Sequence, residues 1–393
     1  MPSYSDIPGG VIRGGRFGPP EVPTPDPGGF KTQLNYLGGF RIRKGNYGIS
    51  RSTNSPGGLH VASDGNLWLV GHSNDRAIGK FQIPADSALS PSHSIADMPL
   101  SDNVLPFFTV IPAAGIPTVN PRIVGTYDDG TRLRYHIQDF YGDGSNTYNH
   151  GYYTIASEAV TDFRDINAQD GALELNPEKA AGWMYPVPSA LVSTLGSTWY
   201  MGHSNTLSRT IRHSFGPSLF TWNGNSDLDP IDPQALMYFE VDDLGPYGAT
   251  ASPPQLWNQV SKAYTGFFFG GDYVCVGMNG AYNSAIDYKI SNPQGWGIAD
   301  PDDQYPYFWR FGNSDITGAA TPRSPRPFEH GELPTGVAPM TNSDGSSFSS
   351  RADSVVGATF DYGTNRLYVQ MRTDKIQTTA EQSSVIYVFE VTA

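Results

Sequence analysis

One pattern of about ten residues recurs along this chain roughly every 65 to 90 residues, which is the signature of a repeat architecture. Each copy starts at a glycine and continues into an apolar run of strand length, with no helical period. The clearest copies are GNLWLVGHSN at Gly65–Asn74 and GSTWYMGHSN at Gly196–Asn205; a third at Gly271–Asn279 lacks the histidine, and weaker copies lie at 130–136 and 363–372. Repeated strand units bury their apolar faces against one another, so the pattern predicts stacked sheets.

The residues around these copies predict short strands between clusters of Gly, Pro, Asn and Asp. They group into units of four. The predicted strands are 59–63, 67–72, 78–83 and 104–111 in the first unit; 122–127, 133–138, 151–156 and 183–187 in the second; 190–194, 198–203, 218–222 and 236–241 in the third; 265–269, 273–278, 285–290 and 307–311 in the fourth; and 355–360, 367–371 and 385–391 in the fifth.

The fifth unit lacks an outer strand, whereas an unassigned strand at 36–42 precedes the first unit. Pairing the two would close a ring and remove an exposed sheet edge. The sequence therefore predicts an all-β protein: a β-propeller of five four-stranded blades closed by an N-terminal strand, in a single domain spanning residues 34–393. Six or seven blades remain open if 85–120 or 291–354 hold further strands.

Residues 56–84 carry a glycine-led first strand, an Asp-Gly-Asn turn, an apolar second strand and an Asn-x-Arg-Ile-like run into the third strand. This stretch resembles an NHL-type propeller repeat, although His72 stands where that family usually has an aspartate. The resemblance covers one blade well and the others loosely. It implies a propeller fold and a binding role at most, because propellers of this kind serve many functions.

Composition excludes several classes of function. The net charge of −13 disfavours binding to a phosphate backbone, so no nucleic-acid partner is expected. Cys275 is the sole cysteine, which rules out a disulfide framework or a thiolate metal site within one chain. No apolar run approaches the about 18 residues of a membrane helix, so membrane insertion is not expected.

Residues 1–33 are rich in proline and glycine, a composition that cannot form a core. We expect an extended arm that docks on the domain or on other subunits of an assembly. The first 30 residues also lack the basic start and apolar core of a secretory signal peptide. Together these features lead us to expect an extracellular or virion location without a signal peptide in this chain.

Polar and aromatic residues concentrate in the loops that join the second and third strands of the blades. In a four-stranded blade these loops share one face with the connections between blades, opposite the tight turns. The candidate ligand-binding residues on this face are His72, Asn74, Arg76, His150, His203, Asn205, Arg212 and Tyr282. The candidate catalytic residues are His72, His203, Tyr148 and Arg209.

Two chemistries could use such residues. Neutral histidines could act as bases, with tyrosine as acid and arginine neutralising a carboxylate, which is the set that a polysaccharide lyase needs. A glycoside hydrolase instead needs converging carboxylates. Asp64, Asp128 and Asp361 come near the ends of first strands, but they lie beside tight turns, where aspartate favours local hydrogen bonds.

No metal or cofactor is predicted. Asp139–Asn146 brings acidic and amide oxygens close together, but it lacks the bidentate glutamate of a calcium loop and is more typical of an Asx-rich turn. The histidines show no zinc-ligand spacing.

These observations lead us to expect a non-enzymatic interaction or structural module, a component of a virion or other extracellular assembly, anchored by its N-terminal arm and binding a surface glycan or polysaccharide on the loop face. The alternative is a secreted carbohydrate-active enzyme, a polysaccharide lyase or glycoside hydrolase. In the lyase hypothesis His72, His203, Tyr148 and either Arg76 or Arg209 carry the acid–base chemistry.

Overall fold

The computed structural model describes residues 29–55, 57–92, 94–111, 121–139, 149–204, 216–224, 231–240, 243, 257, 261–280, 290–292, 295–297, 304–334, 340–341, 347–348, 355–374 and 383–392. Within these residues the fold is a β-propeller of five blades, as predicted. No helix in the described part of the chain has the length and apolar character needed to cross a membrane.

The four main strands of each blade pair antiparallel; the added edge strands β7 and β13 pair in parallel with their neighbours. Blade 1 contains β4 (His60–Val61), β5 (Leu67–Val70), β6 (Ala77–Phe81) and β8 (Asn103–Thr109). Blade 2 contains β9 (Pro121–Asp128), β10 (Arg132–Asp139), β11 (Asn149–Thr154) and β12 (Ala159–Asp165). Blade 3 contains β15 (Met184–Pro186), β16 (Trp199–Met201), β17 (Leu219–Trp222) and β18 (Gln234–Met237), extended at its outer edge by β13 (Gln169–Asp170) and β14 (Leu173–Glu174).

Blade 4 contains β19 (Lys262–Phe269), β20 (Asp272–Gly280), β23 (Gln304–Gly312) and β24 (Glu329–Glu332). Blade 5 contains β27 (Val355–Asp361), β28 (Arg366–Asp374), β29 (Ser383–Val391) and β1 (Leu34–Ile42), with β7 (Leu100–Ser101) beside β1. Small hairpins are formed by β2 (Asn46–Tyr47) with β3 (Ser50–Arg51), β21 (Ile290–Asn292) with β22 (Gly295–Gly297), and β25 (Met340–Thr341) with β26 (Ser347–Phe348).

In the described part of the chain, helical structure is confined to short segments between strands. These are α1 (Phe30–Gln33), α2 (Val192–Leu195) and α3 (Asn313–Thr317), with 3₁₀ turns at Asp86–Ala88, Ile95–Asp97, Pro177–Lys179 and Ser189–Leu191. Of the predicted N-terminal arm, residues 1–28 lie outside the described residues. Its last residues form α1, and Phe30 is fully buried in the core between blades 4 and 5.

The ring closes where the N-terminal strand pairs with the C-terminal one, which confirms the prediction. β1 runs antiparallel to β29, from Leu34 opposite Val391 to Arg41 opposite Val385. The register shifts between Tyr36 and Gly38, and the φ of +135° at Gly38 is one that side-chain-bearing residues rarely adopt. The first and last strands of the chain therefore belong to one sheet.

The strand assignments of three units were partly wrong. The segment 183–187 was predicted as the outer strand of blade 2, but β15 pairs with β16 and is the first strand of blade 3; β12 is the outer strand of blade 2. The segment 190–194 forms a 3₁₀ turn and α2 instead of a strand. Blade 3 has a long first connection in place of a glycine turn, so the local signal that marks the other blades is missing there.

In blade 4, the predicted position of one strand in the sheet was also wrong. The segment 307–311 was predicted as the outer strand, but β23 pairs with β20 and is the third strand, with β24 outside it. The predicted third strand at 285–290 lies outside the described residues except for Ile290, which belongs to the β21–β22 hairpin. Periodicity identifies strands, whereas their order in a sheet depends on pairing between distant segments.

The closing strand should carry a large part of the stability. Phe40 is fully buried between blades 5 and 1, so Phe40→Ala is expected to lower the free energy of unfolding by about 3–5 kcal/mol. Urea unfolding followed by tryptophan fluorescence measures the effect. Phe328→Ala is the matched control, because that side chain is 45% exposed. Equal losses in both variants would contradict a structural role for the closure.

The central strands of blades 2 and 3 approach too closely for a side chain at Gly125. A Cβ there would overlap the carbonyl oxygen of Gly182. Gly125→Ala is therefore expected to destabilise the protein by about 3 kcal/mol or more, because backbone must move to relieve the overlap. Gly216→Ala is the control, since the nearest atom to its Cβ lies at 3.5 Å. Thermal unfolding of the two variants compares them, and similar midpoints would refute the close approach.

Candidate functional site

An open cleft of about 290 Å³ lies on the loop face of blade 1. It separates the β2–β3 hairpin from the turn that joins β5 to β6, which contains three predicted ligand-binding residues. The residues that line it are Asn46, Gly48, Ile49, Ser50, Arg51, His72, Asn74 and Asp75. Apart from Ile49 and Gly48, every one of them has a polar side chain.

Backbone hydrogen bonds hold the two walls of the cleft in register. The His72 N–H donates to the Arg51 carbonyl at 2.9 Å, and the Ser73 N–H donates to the Asn54 carbonyl at 3.1 Å. On its other side the hairpin is fastened to the outer strand of blade 1, where the Ile49 N–H donates to the Phe107 carbonyl at 3.1 Å. The cleft is thus built on paired backbone and does not depend on a single side chain.

The imidazole of His72 faces hydrogen-bond donors at both ring nitrogens. An Arg51 guanidinium nitrogen lies 3.0 Å from Nε2, and the Asn74 backbone nitrogen lies 3.2 Å from Nδ1. Arginine can only donate, so Nε2 accepts in this arrangement. Both ring nitrogens of His72 are therefore engaged by groups of the cleft walls.

The turn that carries His72 also carries the carboxylate of Asp75. Asp75 accepts a hydrogen bond from the Ser50 hydroxyl at 2.8 Å, and the Ser50 oxygen in turn accepts from the His72 backbone N–H at 3.0 Å. At the inner end, the Arg122 guanidinium on β9 donates to the Asn74 side-chain oxygen at 3.0 Å. The cleft thus combines a carboxylate, amides and guanidinium groups in fixed positions.

The structure separates the predicted site residues into three groups. His72 and Asn74 line the cleft, and Arg76 lies exposed beside them with a φ of +54°. His203 and His150 are fully buried and do not line the cleft. The remaining candidates lie outside the described residues: Tyr148, Asn205, Arg209, Arg212 and Tyr282.

The two histidines of the repeated Gly-His-Ser-Asn pattern therefore have different surroundings. The backbone N–H of each donates to a serine hydroxyl, His72 to Ser50 and His203 to Ser218. The ring of His203, however, is covered by the 3₁₀ turn at Pro177–Lys179, and its Nδ1 lies 2.7 Å from the Glu178 carbonyl oxygen. His203 and His72 are therefore equivalent in backbone position but differ in the surroundings of their rings.

A second pair of histidines lies between blades 2 and 3. The Nδ1 of His136 lies 2.9 Å from the Gly182 carbonyl oxygen, and its Nε2 lies 3.1 Å from Nδ1 of His150. Burial lowers the pKa of His136 to about 3. Burial, with smaller contributions from the charges of His136 and Arg134, holds the pKa of His150 well below its usual range. These rings are neutral structural groups of the seam between two blades.

The centre of the ring is filled by side chains near the tight turns. His60 stacks on Tyr127 with ring centroids 4.7 Å apart, and the hydroxyl of Tyr185 lies 2.9 Å from that of Thr265 and 3.0 Å from that of Thr359. Burial lowers the pKa of His60 to about 4. This polar cluster links the first strands of all five blades.

The aspartates near the tight turns are engaged in local contacts. Asp64 pairs with Lys80 at 2.7 Å, and Asp128 accepts from the Trp68 indole N–H at 2.8 Å. Asp361 accepts from the backbone N–H of Gly363 at 2.9 Å. Within the described residues, no group of three or more His, Cys, Asp or Glu side chains is arranged to hold a metal ion.

The sequence-based prediction missed the hairpin wall of the cleft, above all Ser50 and Arg51, and it missed Asp75 on the turn that joins β5 to β6. The hairpin belongs to the connection between the closing strand and blade 1, which has no counterpart in the repeats. One signal was present: residues 41–55 contain four basic residues and no acidic one, in a chain with a net charge of −13.

No protein-family model matches this chain, and no curated protein matches its sequence. Solved structures with a similar fold include an exo-1,5-α-L-arabinanase from a bovine ruminal metagenomic library, with 9% identity, 88% of this chain and 95% of that chain covered, and a TM-score of 0.40. An α-L-arabinofuranosidase from Podospora anserina has 10% identity, coverage of 91% and 97%, and a TM-score of 0.34. A carbohydrate-active enzyme of family AA12 from Trichoderma reesei has 10% identity, coverage of 91% and 98%, and a TM-score of 0.35.

These neighbours are mostly carbohydrate-active enzymes. The prediction of a non-enzymatic interaction or structural module was therefore wrong, and the findings agree better with the alternative, a carbohydrate-active enzyme. At these identities the likeness itself concerns the fold alone.

The buried histidines predict a loss of stability in acid. Burial lowers the pKa of His60 and of His203 to about 4, from 6.5 in the unfolded chain. Between these values the unfolded chain binds the protons and the folded protein does not, so stability is present above pH 6.5 and falls as the pH is lowered. The expected slope is about 1.4 kcal/mol per histidine per pH unit.

Urea unfolding between about pH 7.5 and about pH 4.5 measures this slope. The variant His60→Phe keeps an aromatic ring against Tyr127 but cannot take up a proton. The free energy of unfolding of this variant should therefore change less steeply with pH, by the contribution of one histidine, about 1.4 kcal/mol per pH unit. A free energy of unfolding that is constant over this range would show that the buried histidines do not govern the acid response.

Proposed function

We propose that this protein is a carbohydrate-active propeller that binds a saccharide in the cleft at His72 and acts on it by acid–base chemistry. The observation that carries the proposal is the polar cleft of about 290 Å³ on the loop face, because its walls hold donors and acceptors in fixed positions. The extracellular location and the polysaccharide partner expected from the sequence are part of this proposal.

The lining suits a ligand rich in hydroxyl groups. Asn46 and Asn74 each offer a donor and an acceptor, Arg51 offers donors and Asp75 offers acceptors. A sugar hydroxyl both donates and accepts, so one hydroxyl can accept a hydrogen bond from one of these side chains and donate a hydrogen bond to another. Ile49, which is 58% exposed at the edge of the cleft, supplies apolar surface for the C–H face of a sugar ring.

Two groups of the cleft can exchange protons with a bound saccharide. Asp75 supplies a carboxylate that can accept a proton, and His72 can donate one after it has become protonated. Both groups lie on the turn that joins β5 to β6. A general base that activates water and a general acid that protonates the leaving oxygen are the minimum for hydrolysing a glycosidic bond. His203 has no part in this proposal, because its ring is buried beneath the 3₁₀ turn.

Removal of one amide from the cleft should weaken binding. Asn74→Ala deletes a donor–acceptor group from the lining, and the affinity for the best saccharide ligand should fall about tenfold, the effect of one lost hydrogen bond. A panel of polysaccharides and oligosaccharides identifies that ligand by calorimetry, with reducing ends and unsaturated products measured in parallel.

Asn35→Ala is the control, because Asn35 is an exposed asparagine on β1, outside the cleft lining. It should bind as the wild type does. If no saccharide in the panel binds or is turned over, or if Asn35→Ala weakens binding as much as Asn74→Ala, the proposed function is wrong.

A further inference from the structure

Apolar surface continues from the cleft along the outer edge of blade 1. Six large apolar side chains are exposed among the residues that the structure describes, and three of these six are Ile49, Val104 and Leu105. Ile49 lies in the turn of the β2–β3 hairpin, whereas Val104 and Leu105, which are 50% and 37% exposed, lie on β8. Pro106 on β8 is exposed as well. We call these four residues the apolar strip; such a concentration of exposed apolar side chains is typical of a binding surface.

The hairpin and β8 are joined directly, so the strip is continuous with the cleft. The Ile49 N–H donates to the Phe107 carbonyl oxygen at 3.1 Å, and a Cβ placed at Gly48 would lie 3.1 Å from the Cβ of Pro106. The other residues of the strip lie within three positions of Phe107, which is about 10 Å along an extended strand. Because Ile49 also lines the cleft, one ligand can contact both the polar cleft and the apolar strip.

The backbone of this edge opposes pairing with a strand of another chain. Pro106 has no N–H to donate, and the Phe107 carbonyl already accepts from Ile49. The Asn103 side-chain amide donates to the Leu105 carbonyl at 2.8 Å. The strip therefore offers a ligand its apolar side chains more than its backbone.

The strip is also short and has polar groups at both ends. Asn103 and the ion pair of Arg43 with Asp102 lie at one end, and the polar lining of the cleft lies at the other. A standard protein–protein interface takes about 20–30 residues from each partner, far more than the four residues of the strip. Its size suits an apolar group of a small ligand better than the surface of a protein.

We propose that the apolar strip binds an apolar group attached to the saccharide in the cleft, so that the substrate class is a glycoside with an alkyl or aryl aglycone. This inference rests on the proposed function and names its substrate class. The sugar hydroxyls contact Asn46, Asn74 and Asp75, and the aglycone lies over Ile49 toward Val104. The aglycone strengthens binding because its apolar area is removed from water.

Glycosides that differ only in the aglycone test the proposal. Methyl and octyl glycosides of glucose, galactose, mannose and xylose, and of the terminal sugar of any polysaccharide that binds, are titrated by calorimetry below the micelle-forming concentration. 1-Octanol is the sugar-free probe. For at least one sugar, the octyl glycoside should bind about tenfold more tightly than the methyl glycoside, the effect of burying two or so methylene groups. Its heat-capacity change on binding should also be more negative.

A double variant assigns the effect to the strip. Val104→Thr combined with Leu105→Thr keeps β-branched side chains, which suit a strand, but replaces apolar surface by hydroxyl groups. It should lose most of the preference for octyl over methyl and keep the wild-type affinity for the methyl glycoside. Leu173→Thr is the matched control and should keep the full preference, because Leu173 is 59% exposed on β14 of blade 3, outside the cleft lining.

Thermal unfolding first checks that the double variant is folded. If it is not, Val104→Thr alone replaces it and should lower the preference about threefold, the effect of one buried methyl group. An undiminished preference in the folded variant overturns the inference. An equal loss of preference in Leu173→Thr does so as well, because it would show that the octyl chain adsorbs without a defined site.

Failure of the inference is distinguishable from failure of the proposed function. If methyl glycosides bind and the octyl compounds bind no more tightly, the inference is wrong and the proposed function stands. If 1-octanol binds as tightly as every octyl glycoside and no methyl glycoside binds, the sugar contributes nothing, and the proposed function is wrong together with the inference. The same holds if none of the probes binds.

Discussion

The pairing of β1 with β29 is the contact on which the rest of the structure depends. It joins the two ends of the chain within one blade and removes the open edge that a fifth sheet would otherwise present. The side chains of β1 are part of this constraint, since Phe40 is fully buried between the last blade and the first. The ring is therefore closed by a pairing between residues more than 340 positions apart, from Arg41 opposite Val385 to Leu34 opposite Val391.

The same pairing places the candidate site. Because β1 ends at Ile42 in blade 5, the chain must cross to blade 1 before the first repeat begins, and the β2–β3 hairpin lies in this crossing. The hairpin is fastened to Phe107 on one side and to His72 on the other. The cleft thus forms where a connection without a repeat counterpart meets a repeated loop.

The buried polar groups divide into structural and candidate functional ones according to what covers them. His60, His136 and His203 are enclosed by neighbouring blades or by the 3₁₀ turn at Pro177–Lys179, and burial keeps each of them neutral. His72 occupies a backbone position like that of His203, but its ring lies at the wall of an open cleft. One repeated motif therefore supplies both a structural histidine and a candidate acid–base group.

The sequence by itself determined the propeller fold and the strand that closes it, because glycine turns and apolar strands are local signals and the strand at 36–42 had no partner in its own unit. Five blades was its simplest count, and six or seven stayed open until the pairing of distant strands was known. It also identified His72 and Asn74, since the repeat marks the loop that holds them. Only the tertiary structure decided that His203 is enclosed, that β15 begins blade 3, and that Arg51 faces His72. Each of these depends on which distant segment packs against a residue, and such packing leaves no periodic trace in the residues themselves.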